Sequence, residues 1–212
     1  MALGLLGRKL GMTQIFSESG EAIPVTVVEC GPCIVTQVKT QDKDGYNAIQ
    51  VGFGNVSEKA LTQPELGHLK KHEIVPLRHL QEFRLDAPPT MNVGEEVSPD
   101  LFMAGQKVDV RGLSIGKGFA GTVKRHHFGR GPKSHGSKNY RAPGSIGAGT
   151  TPGRVFPGVR MPGRMGNKQV TVRKLTVVRV DAERKFIIIK GALPGCEGNL
   201  LRITPTNLVG GK

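Results

Sequence analysis

Leu175-Thr-Val-Val-Arg-Val180, then Asp181-Ala-Glu-Arg184, then Lys185-Phe-Ile-Ile-Ile-Lys190 is the stretch that decides the fold. Two runs rich in β-branched residues flank a short polar turn, which is the pattern of an antiparallel hairpin. Working outward, Leu200-Leu-Arg-Ile-Thr204 supplies another strand near the end of the chain. Ala22-Ile-Pro-Val-Thr-Val-Val-Glu29, Ile34-Val-Thr-Gln-Val38 and Tyr46-Asn-Ala-Ile-Gln-Val-Gly-Phe53 supply three more near the start. Short, turn-separated strands at both ends predict a mainly β, antiparallel barrel or sandwich. One helix is signposted near 63–73. Thr62-Gln-Pro-Glu65 has the form of a capping box with Pro in the first turn, Leu66 and Leu69 share one face, and Pro76 closes the run.

Between the two groups of strands the character of the chain changes. From about Phe119 to Lys168 Gly and Pro recur every few residues and hydrophobic periodicity is lost. Such a stretch has too little apolar surface to fold by itself. A loop of that length within a compact protein calls for a functional reason. The expected organisation is a β body over 1–119 and 169–212, with an irregular extension over 120–168.

Charge supplies the reason. The 212-residue chain carries 30 Lys and Arg against 17 Asp and Glu, a net +13. No acidic residue occurs between Val110 and Val180, a span holding half of the basic ones. A solvated surface mixes both signs. A segment this one-sided repels itself unless a polyanion neutralises it, and nucleic acid is the polyanion expected. No run approaches the ~18–20 apolar residues of a membrane span. The opening Met1-Ala-Leu-Gly-Leu-Leu-Gly-Arg8 is too short for a secretory core and no basic residues precede it. A cytoplasmic protein with its three Cys reduced is therefore expected.

Several motifs compete with that reading. Cys30-Gly-Pro-Cys33 has the spacing of a dithiol redox site, but that chemistry needs the first Cys at a helix N-terminus. Here Ile34-Val-Thr-Gln-Val38 reads as strand, so Gly31-Pro32 reads as a turn between strands. A redox enzyme built on this pair remains the enzymatic alternative. Zinc is disfavoured, because Cys196 is the only other thiol. Gly116-Lys-Gly-Phe-Ala-Gly121 matches a dinucleotide-binding pattern, yet no acidic residue appears until Asp181 to hold a ribose. Those glycines fit better with backbone amides and Lys117 approaching a phosphate. His126, His127 and His135 have no nearby carboxylate for a hydrolase and no ligand set for a metal, so contact with sugar or phosphate is expected.

Within the basic span, Arg125, Arg141, Arg154, Arg160 and Arg164 are candidates for bidentate phosphate contacts. Arg130 adds to them, while Lys117, Lys124, Lys133, Lys138 and Lys168 act as point charges. Tyr140 and Phe156 are expected to stack on unpaired bases. Phe119 and Phe128 read equally well as base-stacking or as anchors of the loop. A DNA-compacting protein could use the same charge and stays as the second reading.

Three blocks carry a resemblance. They are Gly7-Arg-Lys-Leu-Gly-Met-Thr-Gln-Ile-Phe16; the set Phe102, Asp109, Gly112, Ser114, Gly116, Lys117, Gly118, Gly121 and Arg125; and Ser134-His-Gly-Ser137, Arg141, Gly144-Ser-Ile-Gly147, Thr151-Pro-Gly153 with Met161 to Gly166. On these, across essentially its whole length, the chain resembles the universal ribosomal protein L-three family in its bacterial form. The resemblance implies a β-barrel of the kind shared with translation elongation factors. It also implies a loop that enters large-subunit (23S) rRNA and a role early in subunit assembly. Gly144, Ser145, Ile146, Gly147, Thr150, Thr151, Pro152 and Gly153 would form the tip, near the peptidyl-transferase centre. The implied partners are large-subunit rRNA and the neighbouring proteins L fourteen and L nineteen. No catalysis, cofactor, metal, membrane or small-molecule substrate is implied. Some relatives carry a methylated Gln just before Thr-Pro-Gly; Thr150 stands there in this chain, so that modification is not expected.

Overall fold

The hairpin is where the sequence puts it, and its register organises the body. The computed structural model describes residues 3–207. In chain order the strands are β1 (Leu5–Phe16), β2 (Ala22–Glu29), β3 (Cys33–Lys39), β4 (Ala48–Asn55), β5 (Leu77–Arg84) and β6 (Glu96–Val97). They continue as β7 (Lys107–Leu113), β8 (Phe119–Ala120), β9 (Gly163–Arg164), β10 (Gln169–Asp181), β11 (Phe186–Lys190) and β12 (Leu200–Pro205). The helices are α1 (Gln41–Asp44), α2 (Gln63–Lys70) and α3 (Thr122–His126). The chain divides into two compact units, Met1–Ser114 with Gln169–Lys212, and Ile115–Lys168.

In the first unit six strands close into an antiparallel barrel in the order β1-β12-β7-β10-β11-β2. Period-two alternation makes it close around a core. Ile187 and Ile189 of β11, Leu201 and Ile203 of β12, and Val108 and Val110 of β7 are all buried. Each such side chain contributes about 1.5–3 kcal/mol by leaving water. Where β7 meets β12 there is no room for a side chain at Gly112: a Cβ would lie 2.7 Å from Leu201 Cδ2.

The mainly β, antiparallel body is as expected, and not every strand of it joins the barrel. β3 and β4 pair with β5 and β6 in a separate four-stranded sheet, ordered β5-β4-β3-β6. The chain leaves the barrel after Glu29, where Pro32 has no N–H to continue a ladder. Val35, Ile49, Val51 and Phe83 of that sheet still join the same buried cluster as Leu5, Val110 and Ile203 of the barrel. β5 was not legible in sequence. Its half-buried or buried positions, Leu77, His79, Leu80, Gln81, Glu82 and Phe83, mix three apolar with three polar residues and show no alternation.

α2 has its expected start. Glu65 Oε2 accepts from the Thr62 N–H at 2.9 Å and from the Thr62 hydroxyl at 2.8 Å, and Leu66 and Leu69 are buried. It ends at Lys70 rather than at 73. The chain turns back through Glu73 at φ +56°, and the N–H of Ile74 donates to Leu69 O at 3.2 Å. The turn seats Ile74 against Leu69 and Leu77, which outweighs another turn of helix.

Candidate nucleic-acid interface

The second unit holds eleven Lys and Arg and no Asp or Glu. Its two ends are held together by a narrow ribbon. β8 pairs antiparallel with β9 through Phe119↔Arg164 and Ala120↔Gly163. Beyond that pair the Lys117 N–H donates to Met165 O at 2.9 Å, and the Met165 N–H donates to Gly118 O at 2.9 Å. Gly166, at φ +71°, lies so close to the Ile115 carbonyl that no side chain fits. This corrects two expectations. Regular structure enters the stretch expected to be irregular from 119 onward. The Lys117 amide is also committed to the ribbon, so only its exposed ammonium is available for a phosphate.

α3 follows the ribbon and is pinned to the returning strand. Arg125 Nη1 donates to Met161 O at 2.8 Å, and His126 Nε2 lies 3.0 Å from the same oxygen. A Cβ at Gly163 would sit 2.6 Å from Arg125 Nη1, so the glycine is what admits the guanidinium. Arg125 and His126 are half-buried and serve this internal bridge, a role the sequence did not indicate. A guanidinium has five donors. One therefore holds the loop while others remain for an anion.

Lys124 of α3 is exposed, and so, beyond the helix, are Arg130, Lys133, His135, Lys138, Arg141, Arg154, Arg160, Arg164 and Lys168. Tyr140 is half-buried, with the Lys133 ammonium 5.5 Å from its ring centroid. The Arg130 guanidinium, hydrogen-bonded at the phenol, holds the Tyr140 pKa below its ordinary value. The Gly131 N–H donates to Tyr140 O at 3.1 Å and closes this small loop. The tip residues Gly144, Ser145, Ile146, Gly147, Thr150, Thr151 and Gly153 are all exposed, and Pro152 is half-buried. The tip is built from local turns, with the Gly153 N–H donating to Gly149 O at 3.2 Å and the Ser145 hydroxyl to Gly147 O at 3.3 Å.

The aromatics separate. Phe119 is 80% exposed and Phe156 58% exposed, whereas Phe128 is half-buried with its ring 6.0 Å from that of His126. Phe119 is thus open to stacking, and Phe128 anchors the loop. Ile115, Ile146, Val155 and Val159 are also exposed. Ile115, Val155 and Val159 carry no signal in sequence, because isolated apolar residues among Gly and Pro show no periodicity, whereas Ile146 falls within the expected tip. With Phe119 and Phe156 these four make six exposed large apolar side chains among the described residues of this unit.

The competing motifs lose their chemistry. Cys30 and Cys33 are fully buried at the β2–β3 turn, and the Cys33 thiol donates to Leu6 O at 3.3 Å. Burial pushes the Cys30 pKa well up and that of Cys33 to about 11, the opposite of an activated dithiol. Among the described residues no group of three or more His, Cys, Asp or Glu is placed to hold a metal ion. No described helix is long and apolar enough to cross a membrane.

Comparison with known proteins agrees with the blocks quoted above. A family profile described as "Ribosomal protein L3" matches residues 90–185, which takes in β7 and the whole basic unit. Large ribosomal subunit protein uL3 of Gloeobacter violaceus is 68% identical over 211 residues, covering 99% of this chain and 98% of that protein. The protein of the same name from Acaryochloris marina is 63% identical over 210 residues, 99% of each chain. That from Synechococcus sp. is 62% identical over 213 residues, 100% of each. Identity at this level spans the barrel, the second sheet and the basic unit alike, so the chain belongs to the ribosomal protein L3 family.

Proposed function

We propose that this protein is a structural constituent of the large ribosomal subunit in the cytoplasm, binding large-subunit rRNA directly through residues 115–168. One observation carries the reading: eleven basic side chains, ten of them exposed, occur in a unit without a single carboxylate. Nothing within the unit can neutralise them, and a phosphate backbone can. The exposed Phe119, Tyr140 beneath Lys133, and Phe156 add flat surfaces for unpaired bases. Residues 144–153, built of small side chains and tight turns, suit close approach to folded RNA, and the family resemblance directs them towards the peptidyl-transferase centre. Docking to rRNA early in assembly, beside L fourteen and L nineteen, extends the same reading. The chain performs no catalysis in it; any effect on peptide-bond formation comes from positioning RNA.

The test is the salt dependence of binding to protein-free large-subunit rRNA. With 6–10 phosphate contacts, affinity falls by roughly three to five decades between 50 and 200 mM salt. Replacing Arg141, Arg154, Arg160 and Arg164 together by Gln should flatten the log–log slope by about three. An unchanged slope sinks the model. In lysate the protein should sediment with the large subunit in high salt and leave it on RNase treatment. Duplex DNA competing as well as folded rRNA would replace this reading with general nucleic-acid compaction.

A further inference from the structure

The four-stranded sheet is finished on one side and open on the other. On the β6 side, β3 is covered by that two-residue strand, and beyond it the Val35 N–H donates to Glu95 O at 2.9 Å and the Gly94 N–H to Val35 O at 2.8 Å. On the opposite side stands β5, eight residues long. Among the described residues β4 is the only strand that pairs with it, and no turn or loop bonds to the backbone of its outer edge. Proteins guard such an edge with a proline, a bulge or outward-facing charges. Leu77–Arg84 has no proline, and its register with β4 runs without a shift. Two of its charges are folded back onto the sheet. Glu82 lies 2.6 Å from Lys39 Nζ and accepts from the Tyr46 hydroxyl at 3.1 Å, and the Arg84 guanidinium sits 4.7 Å from the Tyr46 ring centroid.

The open edge borders a groove. One cleft, of about 630 Å³, is lined by Arg8, Asn55, Arg78, His79 and Leu200 among others, and a second, of about 300 Å³, by Glu65, Leu77, Leu80 and Gln81. Arg78, His79 and Leu200 line both, so the two form one channel along β5 with the first residue of β12 in its wall. Its polar groups are unequally satisfied. Arg8 is paired with Glu29 at 2.7 Å and Glu65 caps α2, whereas Arg78 is exposed with no ion-pair partner among the described residues. Burial and the Arg78 charge hold the His79 pKa below its ordinary value, so its ring is neutral near pH 7. Gln81 Oε1 is buried without any hydrogen-bond partner. Swinging that amide towards an incoming N–H gains a bond and breaks none at the oxygen.

We infer that the β5 edge and its channel take an extended polypeptide segment of another protein by strand addition, as a further strand of the four-stranded sheet. In this mode main-chain bonds supply the affinity, and pockets for alternate side chains supply the choice of partner. Leu77, Leu80 and Leu200 suit apolar side chains of the segment, and Arg78 suits an acidic one. RNA is the poorer occupant. A phosphodiester chain offers mainly acceptors, whereas the carbonyls of an open strand edge and Gln81 Oε1 need donors repeating at strand spacing. A second copy of this chain is poorer too: its own β5 is recessed beside Leu200 in the same way, and two recessed edges do not meet at the ~4.8 Å of paired strands. The inference goes beyond the binding of rRNA and does not depend on it.

The experiment places a photo-crosslinker in the channel of the full chain, as Asn55→p-benzoylphenylalanine, in growing cells. Irradiation should yield a protein adduct that resists RNase and maps by mass spectrometry to one short segment of a different protein. An adduct removed by RNase, an adduct between two copies of this chain, or no adduct overturns the assignment. A synthetic peptide of the mapped segment is then titrated against the purified full chain and against Gln81→Met. The peptide should slow hydrogen exchange over 77–84 by roughly tenfold or more, and Gln81→Met should weaken its binding roughly three- to tenfold. The thermal midpoint of Gln81→Met should not fall, since the substitution removes an acceptor that has no partner. Unchanged exchange over 77–84, or a peptide affinity that Gln81→Met leaves unaltered, overturns strand addition. Neither result bears on the salt slope that tests rRNA binding, so the two failures are told apart.

Discussion

The two units of this chain solve the same problem in opposite ways. In the first, apolar side chains from two sheets merge into one buried cluster, and its surface includes paired charges such as Arg8–Glu29 at 2.7 Å and Lys185–Glu96 at 2.5 Å. In the second, Ala120 is the one apolar residue buried among those described, and there is no carboxylate to pair with. Its internal bonds are instead backbone ladders, turns and the Arg125–Met161 bridge. A large, mixed-sign sequence encloses itself; a small, glycine-rich, single-sign sequence leaves both its charge and its apolar side chains for a partner.

The sharpest way to break this contrast is to make the same truncation in both units. Phe83→Ala removes a fully buried ring and should cost about 3–5 kcal/mol. Phe156→Ala, at a ring 58% exposed, should stay within about 0.5 kcal/mol of the unmodified chain in denaturant unfolding. A comparable loss from Phe156→Ala would mean that the second unit has an apolar core of its own.

Thiol labelling is the next largest effect. At pH 8 iodoacetamide should modify the exposed Cys196 readily and leave Cys30 and Cys33 untouched until the protein is unfolded. Mass spectrometry showing rapid native labelling of either buried thiol would reopen the redox reading.

Gly163→Ala sharpens the picture of the ribbon. The new methyl group displaces the Arg125 guanidinium from Met161 O. The expected cost is about 1–2 kcal/mol of local order, read as faster hydrogen exchange over 120–126 and 161–165. The global unfolding midpoint should not move, because the large buried cluster lies in the first unit.

The smallest effect is electrostatic. Arg130 and Lys133 hold the Tyr140 pKa below the usual ~10, so its ultraviolet titration should begin early and shift upward in Arg130→Gln. The sign follows from a pKa lowered on folding: the contribution is fully present above the unfolded-state value and is lost as pH falls through the folded-state one. Binding of rRNA, which occupies the same cations, should move the titration upward in the same direction.

What the sequence determined by itself was everything that local pattern and charge encode. The alternation in 186–190 and 200–204 makes strands wherever they occur, Thr62 and Glu65 start a helix, and an acid-free run of 71 residues needs a polyanion. Tertiary structure alone decided what depends on partners distant in the chain. β5 became a strand because β4 offered an edge and Phe83 a place in the core, although its own residues are mostly polar. Arg125, a candidate phosphate ligand in sequence, is also an internal brace because Gly163, far along the sequence, leaves it space. Arg111 and Arg202 look like ordinary strand residues in sequence, and only the β7–β12 register makes them neighbours. Periodicity and composition are local or summed quantities, whereas register and close approach depend on which strands meet, and those meetings are settled by burial across the whole body.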